Sequence, residues 1–438
     1  MSDLPEEAGS KARLRSPERR QTALRMECPD DLLPPEHPAR QIWEITGRLD
    51  LSGFYLGVKA VEGRAGRDAT DPRLLVALWL YATTEGVGSA RELDRLCREH
   101  RAYEWLCGGV SVNYHMLSDF RVSQGVALDA LLTQLITVLV EQDIVKVWRI
   151  SQDGTRVRAC AGASSFRRRE RLERLHDDAR AHVEQLRAQV EDPGEQVTVS
   201  ARVRAATERA ARERAERLAR AVARLPEIER RQARLARKVT AKEKARRLPE
   251  PRVSTTDPDV RVMKMSDGGF RPAVNIQIAS DTDSRAILGI DVVGEGVDTG
   301  LSEPMREQVQ KRTGRPVKEH LLDGGYINLP EIERASAQGV DVYIPARPPR
   351  SKSGRADRHA PRKGDSAALA AWRERMRSDE GQSIYRLRAS TSETINADLK
   401  QNRGLDRLNV RGTEKIKCVA LWAALAYNLV HFGQHWVG

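Results

Sequence analysis

Three carboxylates fall where chemistry, rather than packing, would explain them. Asp153 lies in Val145 to Arg158 (VKVWRISQDGTRVR), an apolar, β-branched run that reads as a strand and is followed at once by Gly154 and Thr155. A bare carboxylate beside a strand core is costly unless it is paired, hydrogen-bonded or bound to a metal, so Asp153 calls for partners from elsewhere in the chain. Asp323 ends a short apolar run in Glu319 to Ile327 (EHLLDGGYI), where Gly324 and Gly325 are expected to let the backbone turn sharply. Glu393 sits in Tyr385 to Lys400 (YRLRASTSETINADLK), expected to be a helix with Glu393 and Lys400 on one face. Carboxylates without clustered His or Cys are ligands for hard divalent cations. Four further acids, Asp257, Asp259, Asp281 and Asp298, are expected to be solvated turns or helix caps instead, Asp298 capping the helix that follows it.

The order Asp, Asp, Glu resembles the DDE transposases of bacterial insertion sequences. Their ribonuclease H-like core carries the first Asp on the first strand, the second after the fourth strand, and the Glu on a following helix. Tyr385, Arg388, Glu393 and Lys400 resemble the Tyr, Arg, Glu, Lys signature of the insertion-sequence-four superfamily, with the Arg-to-Glu gap one residue longer. The likeness extends to Ser254 to Lys264 (STTDPDVRVMK), to the strand Val274 to Asp281, and to the helical N-terminal third. The resemblance implies two Mg²⁺ ions about 3.5 to 4 Å apart, for which Mn²⁺ substitutes. Asp153 would bridge them, with Asp323 and Glu393 holding one each. It also implies that Arg388 and Lys400 grip phosphates, that Tyr385 meets the DNA end, and that the partners are the element's terminal inverted repeats and target DNA. Two ends must be joined, so a homodimer or larger assembly is expected. A nuclease without strand transfer and an inactive or domesticated DNA-binding relative are the alternatives.

The balance of charge points the same way. Of 438 residues, 74 are Lys or Arg and 62 are Asp or Glu, a net charge of +12, which favours a polyanionic partner; an Arg-rich chain full of solvated ion pairs is the bland alternative. The five scattered cysteines contain no CxxC pair, which argues against a disulfide framework or zinc knuckle. No stretch approaches the ~20 apolar residues of a membrane span and the N-terminus lacks a secretory h-region, so a cytoplasmic protein, nucleoid-associated when on DNA, is expected.

The elements that must position these residues give an α/β chain: a ribonuclease H-like mixed five-stranded sheet flanked by helices, with an all-α N-terminal domain and a helical, coiled-coil-like insertion between the first and second core strands. The expected boundaries are a disordered tail at 1–30, a helical DNA-binding domain at 31–144, the core at 145–165 and 251–438, the insertion at 166–250, and a basic loop at 346–368 that touches phosphates or merely links. Within the N-terminal domain, Arg91, Arg95 and Arg121 on successive short helices suit either a helix-turn-helix-like reader of DNA or an ordinary bundle with a basic face. Trp43, Trp79 and Trp105 occupy apolar helix positions and are expected to pack in the core. The Arg-, Glu- and Ala-rich insertion suggests two helices hairpinned near Asp192-Pro193-Gly194, a structural arm more than a DNA clamp.

Overall fold

The computed structural model describes residues 26, 28–60, 68–191, 201–238, 250–347 and 357–437. Most of the expected 1–30 tail, the insertion tip at Asp192 to Gly194 and the middle of the 346–368 loop lie outside the described residues.

Eight strands occur among those residues: β1 (Arg149–Arg158), β2 (Phe166–Arg167), β3 (Val253–Ser254), β4 (Arg261–Lys264), β5 (Phe270–Asp281), β6 (Ile287–Val293), β7 (Glu319–Leu322) and β8 (Asp341–Tyr343). Strand β1 is the middle of the main sheet. On one side it pairs antiparallel with β5, whose far edge pairs antiparallel with β6 and then with β4. On the other side β7 runs parallel to β1, and β8 parallel to β7. A meander of antiparallel strands followed by two parallel additions is the expected arrangement, but the sheet has six strands, not five. The extra strand arises because β5 is 12 residues long and outruns β6, leaving an edge that Arg261 to Lys264 fills. Asn275, Gln277 and Ser280, polar residues within β5, are buried, because both faces of the sheet are covered.

The cover on one side is the helix Thr413–Phe432. Every residue from Cys418 to Leu429 in it is buried, so it is apolar all round and sits inside the molecule. It packs against β6 and also against the N-terminal helices Pro72–Thr84, Tyr114–Ser123 and Gly125–Glu141, all within one continuous apolar cluster. Asn428, the polar residue of that stretch, bonds both ways with the backbone of Ile287, accepting from its N–H and donating to its C=O at 3.0 Å each. A buried amide thereby satisfies the end of β6 and fixes the helix on the sheet. The N-terminal helices and the sheet share this core. Trp79 is fully buried, whereas Trp43 and Trp105 are half-buried beneath the Arg73 and Arg40 guanidinium groups.

The insertion enters and leaves through β2 and β3, which pair antiparallel and close its base. Its helices, Arg169–Glu191 and Ala201–Lys238, pack on each other through Leu172, Ala179, Leu218, Ala221 and Leu225, with Val253 below. Arg169 and Glu229 cross-link them at 2.7 Å, while Arg217 donates to Thr255 and ties the arm to the core. Among the described residues no single helix is long and apolar enough to cross a membrane.

Trp422 has no exposed surface and donates its indole N–H to the Arg121 carbonyl at 3.0 Å. Trp422→Ala is expected to cost about 3–5 kcal/mol, seen as a lower urea midpoint with N-terminal and sheet signals lost together. Loss of the N-terminal signal alone would mean that the shared core is not one cooperative unit.

Candidate active site

Register brings the two aspartates together. Gln152 of β1 lies opposite Leu322 of the parallel strand β7, so the next residues, Asp153 and Asp323, stand side by side where β7 ends. Adjacent strands are ~4.8 Å apart. Beyond that point β1 continues to Arg158 with β7 gone, which opens one side of the strand.

Asp153 is largely buried and faces the helix Asp379–Gln401. That helix is capped by the Ser378 hydroxyl, which accepts from the Gly381 N–H at 3.0 Å, with Asp379 and Glu380 in the first turn and Lys400 in the last, as the helix dipole favours. Arg388, Ser392 and Asn396 recur every four residues and line its inward face. Ser392 shares a hydroxyl hydrogen bond with Ser151 of β1 at 2.7 Å. Asn396 donates to Asp153 Oδ2 at 3.1 Å, and the Arg388 Nη1 lies 3.8 Å from the same oxygen. The Gly154 N–H donates to Asp153 Oδ1 at 3.0 Å. Burial pushes the Asp153 carboxyl up to about 6, against the pull of Arg388 and with the push of the Asp323 and Asp298 charges.

Asp323 caps the short turn that follows it, accepting from the Gly325 N–H at 2.7 Å. Neither Gly324 nor Gly325 has a positive φ, contrary to the expectation that backbone freedom explains them. Gly325 is needed for room: a Cβ there would stand 2.9 Å from Asp323 Oδ1 and 3.2 Å from Asp298 Oδ2. Gly154 is crowded in the same way, its absent Cβ lying 2.6 Å from both Asn275 Oδ1 and Asp298 Oδ1.

Asp298 is therefore a member of this cluster and not the side-chain cap expected of it. The helix Ser302–Thr313 starts without a side-chain cap, and Asp298 Oδ1 instead accepts from Asn275 at 2.7 Å and Gln277 at 2.9 Å. Asp257 and Asp281 do serve turns, accepting from Asp259 and Gly412 and from Ser284 respectively, but both are buried rather than solvated as expected.

The other sequence candidates divide. Glu393 follows Ser392 by one position, about 100° round the helix, and its side chain is exposed, turned away from the face that Arg388, Ser392 and Asn396 present to β1. Tyr385 and Lys400 are half-buried on the same helix; burial raises the phenol of the first against the Arg388 charge and lowers the ammonium of the second, which faces Asp406 and Asp153. Arg121 is a correction. It is buried, lies 4.8 Å over the Trp79 ring, donates to the Gly88 carbonyl, and is lowered to about 10 by burial, so it serves the core. Arg95 is exposed but paired with Glu92 and Glu99, and Arg91 lies 5.3 Å over Tyr114. Asn396 was not singled out from the sequence; its place three and four residues from Glu393 and Lys400 was the available signal.

Asp153, Asp323 and Glu393 offer oxygen donors alone, which suits Mg²⁺ or Mn²⁺. The Oδ1 of Asn396, whose amide nitrogen meets Asp153, is buried with no hydrogen-bond partner and leaves an acceptor beside that carboxylate. Among the described residues, no three His, Cys, Asp or Glu side chains are grouped closely enough to enclose an ion as they stand.

Two stretches of the chain match family models. Residues 27–123 match a transposase domain (DUF772), and residues 346–432 match a transposase DDE domain. The second stretch contains Tyr385, Arg388, Glu393 and Lys400, while Asp153 and Asp323 lie outside both. Searches of curated proteins and of solved structures gave no match. Transposase domains toward both ends indicate a DNA transposase of the DDE type.

The raised proton affinity of Asp153 has a consequence for stability. A carboxyl held at about 6 against 3.8 favours folding while protonated and loses that contribution as pH rises through 6. Asp153→Asn should therefore melt above the wild type at pH 7.5 without divalent ions, by up to about 3 kcal/mol. The gap should narrow as pH falls toward 4. A pH-independent gap in thermal melts would remove the buried charge as its cause.

Proposed function

We propose that the protein is the DNA transposase of an insertion sequence, built on a ribonuclease H-like core, that cuts at the terminal inverted repeats of its element and joins the 3′-hydroxyl ends to target DNA. The observation that carries this reading is the pairing of Asp153 and Asp323 at the end of β7, beneath the helix that bears Glu393. The strand order, with two parallel additions beside an antiparallel meander, supports the fold assignment, and the net charge of +12 supports a polyanionic substrate.

In this reading Asp153, Asp323 and Glu393 hold two divalent ions, Mg²⁺ or Mn²⁺. Bound there, such ions lower the pKa of an attacking water or hydroxyl and stabilise the leaving oxygen. The chain's own groups do the rest. Arg388, whose guanidinium stands between Tyr385 and Asp153, balances the carboxylate when no phosphate is present and turns to a phosphate oxygen when DNA arrives. Asn396 keeps Asp153 in one rotamer. Lys400 is half-buried toward Asp406 and Asp153, and Glu393 is exposed on the same helix. Joining two ends calls for at least two copies of the chain, and the exposed Arg91 and Arg95 are the N-terminal contacts proposed for the repeats. A cytoplasmic place, on the nucleoid, follows from such a substrate.

The direct test is cleavage of supercoiled plasmid carrying the flanks of the protein's own gene, with Mg²⁺ against EDTA and wild type against Asp323→Asn and Glu393→Gln. Cuts at the element boundaries should disappear with EDTA and fall by at least about 10³-fold in either variant. Undiminished cutting by Glu393→Gln would take that residue out of the centre. Cutting without joining would leave a nuclease, and tight DNA binding with no cutting would leave a binding protein.

A further inference from the structure

On the face of β1 opposite Asp153 lies a chain of buried side-chain amides. Gln152 Nε2 donates to Gln277 Oε1 at 2.8 Å, and the Tyr326 hydroxyl donates to the same oxygen. The Nε2 of Gln277 and the Nδ2 of Asn275 both donate to Asp298 Oδ1. Gln152, Asn275, Gln277 and Tyr326 are each at most 1% exposed, so bulk water does not take their places. An amide can present either its oxygen or its NH₂ to a neighbour, and a run of amides alone has two directions of similar energy. A carboxylate accepts on both oxygens and cannot reverse.

We propose that Asp298 is a positioning residue of the reaction centre: by accepting from Asn275 and Gln277 it fixes the direction of this amide chain, and through Tyr326 it holds the turn that presents Asp323. With the Gln277 NH₂ committed to Asp298, its oxygen must face Tyr326 and Gln152. Tyr326 closes the turn Gly324–Tyr326 that Asp323 caps, so a fixed Tyr326 fixes the aspartate three residues before it. Burial and the surrounding Asp298, Asp153 and Asp323 charges keep the Tyr326 hydroxyl protonated and hence a donor. A second tie comes from the same loop: the Thr299 hydroxyl donates to the Gly325 carbonyl at 3.1 Å. Gly325 itself is bare because Asp298 Oδ2 occupies the space a side chain would need. An Asn at 298 has the same size but can turn its NH₂ toward Gln277, which frees the Gln277 amide to invert, while Gln152 stays oriented by its second bond, from Nε2 to the Leu301 carbonyl at 3.1 Å.

The consequence for cleavage rests on the transposase reading; the amide chain and its effect on the turn do not. The test uses the full-length protein with Asp298→Asn, Tyr326→Phe and the double substitution, and measures two things. The first is amide hydrogen exchange at Gly325, whose N–H is the turn's own bond to Asp323. Asp298→Asn and Tyr326→Phe should each speed it about tenfold, the loss of roughly one hydrogen bond, and the double variant should be no faster than either alone, because both act through Gln277. The second is plasmid cleavage, where kcat should fall about tenfold or more with KM for DNA unchanged, again without further loss in the double variant. Unchanged exchange at Gly325 in Asp298→Asn, or effects that multiply in the double variant, would overturn the proposal. If Asp298→Asn does not fold, Tyr326→Phe, which keeps the ring packing, decides it through the same exchange measurement. Loosened exchange in a protein that cuts no DNA would uphold the positioning role and overturn the transposase reading separately.

Discussion

The structure turns on one unfavourable placement, a carboxylate set largely out of water in the middle of a sheet. Asp153 cannot move without moving β1, and β1 is the strand on which both halves of the sheet are hung. Its surroundings are shaped to tolerate the charge without cancelling it. One guanidinium stands at 3.8 Å, one amide and one backbone N–H donate to it, and the Asp323 and Asp298 carboxylates nearby work against them. A tight ion pair with Arg388 would have quieted the site. The looser contact leaves a carboxyl with raised proton affinity and with oxygens that a cation can claim, which is the electrostatic condition of a centre that gains by binding one.

Much of this frame was legible in the sequence. An Asp inside a β-branched run, another ending a short apolar run before two glycines, and a helix with Glu393 and Lys400 on one face locate the strand, the turn and the cover. The parallel pairing of β1 and β7 was implied by the ribonuclease H-like resemblance, and the long chain between them allows the crossover it needs. The residues that were misread share a cause. Asp298 precedes a helix and has the local pattern of a cap, but two amides on β5 compete for its oxygen, and their position depends on the β1 to β5 register, which local pattern does not encode. Arg121 follows Phe120 on a short helix and reads as a surface base; the Trp79 ring and the Gly88 carbonyl that bury it come from other elements. Gly325 was assigned to backbone freedom because spacing reveals a turn but not which carboxylates crowd it.

The helix over Asp153 shows how one sequence period serves two purposes. Residues four apart, Arg388, Ser392 and Asn396, face β1 and fix the helix on the strand through a hydroxyl pair and an amide. Lys400, four residues further on, is half-buried toward Asp406 and Asp153, whereas Glu393 is exposed. A helix can present both faces because 3.6 residues per turn separates adjacent positions by about 100°.

The burial of the helix Thr413–Phe432 has a consequence in time. Trp422 closes on the backbone of Arg121, 301 positions earlier in the chain. At synthesis rates of about 5–20 residues per second, the N-terminal helices emerge some 15 to 60 s before the segment that covers Leu74 to Ala82 and Leu128 to Val140. During that interval the helices Pro38–Arg48 and Arg101–Cys107 can already pack on Pro72–Thr84, but the face that meets Thr413–Phe432 lacks its partner. The N-terminal helices thus complete their core only once the helix Thr413–Phe432 has been made.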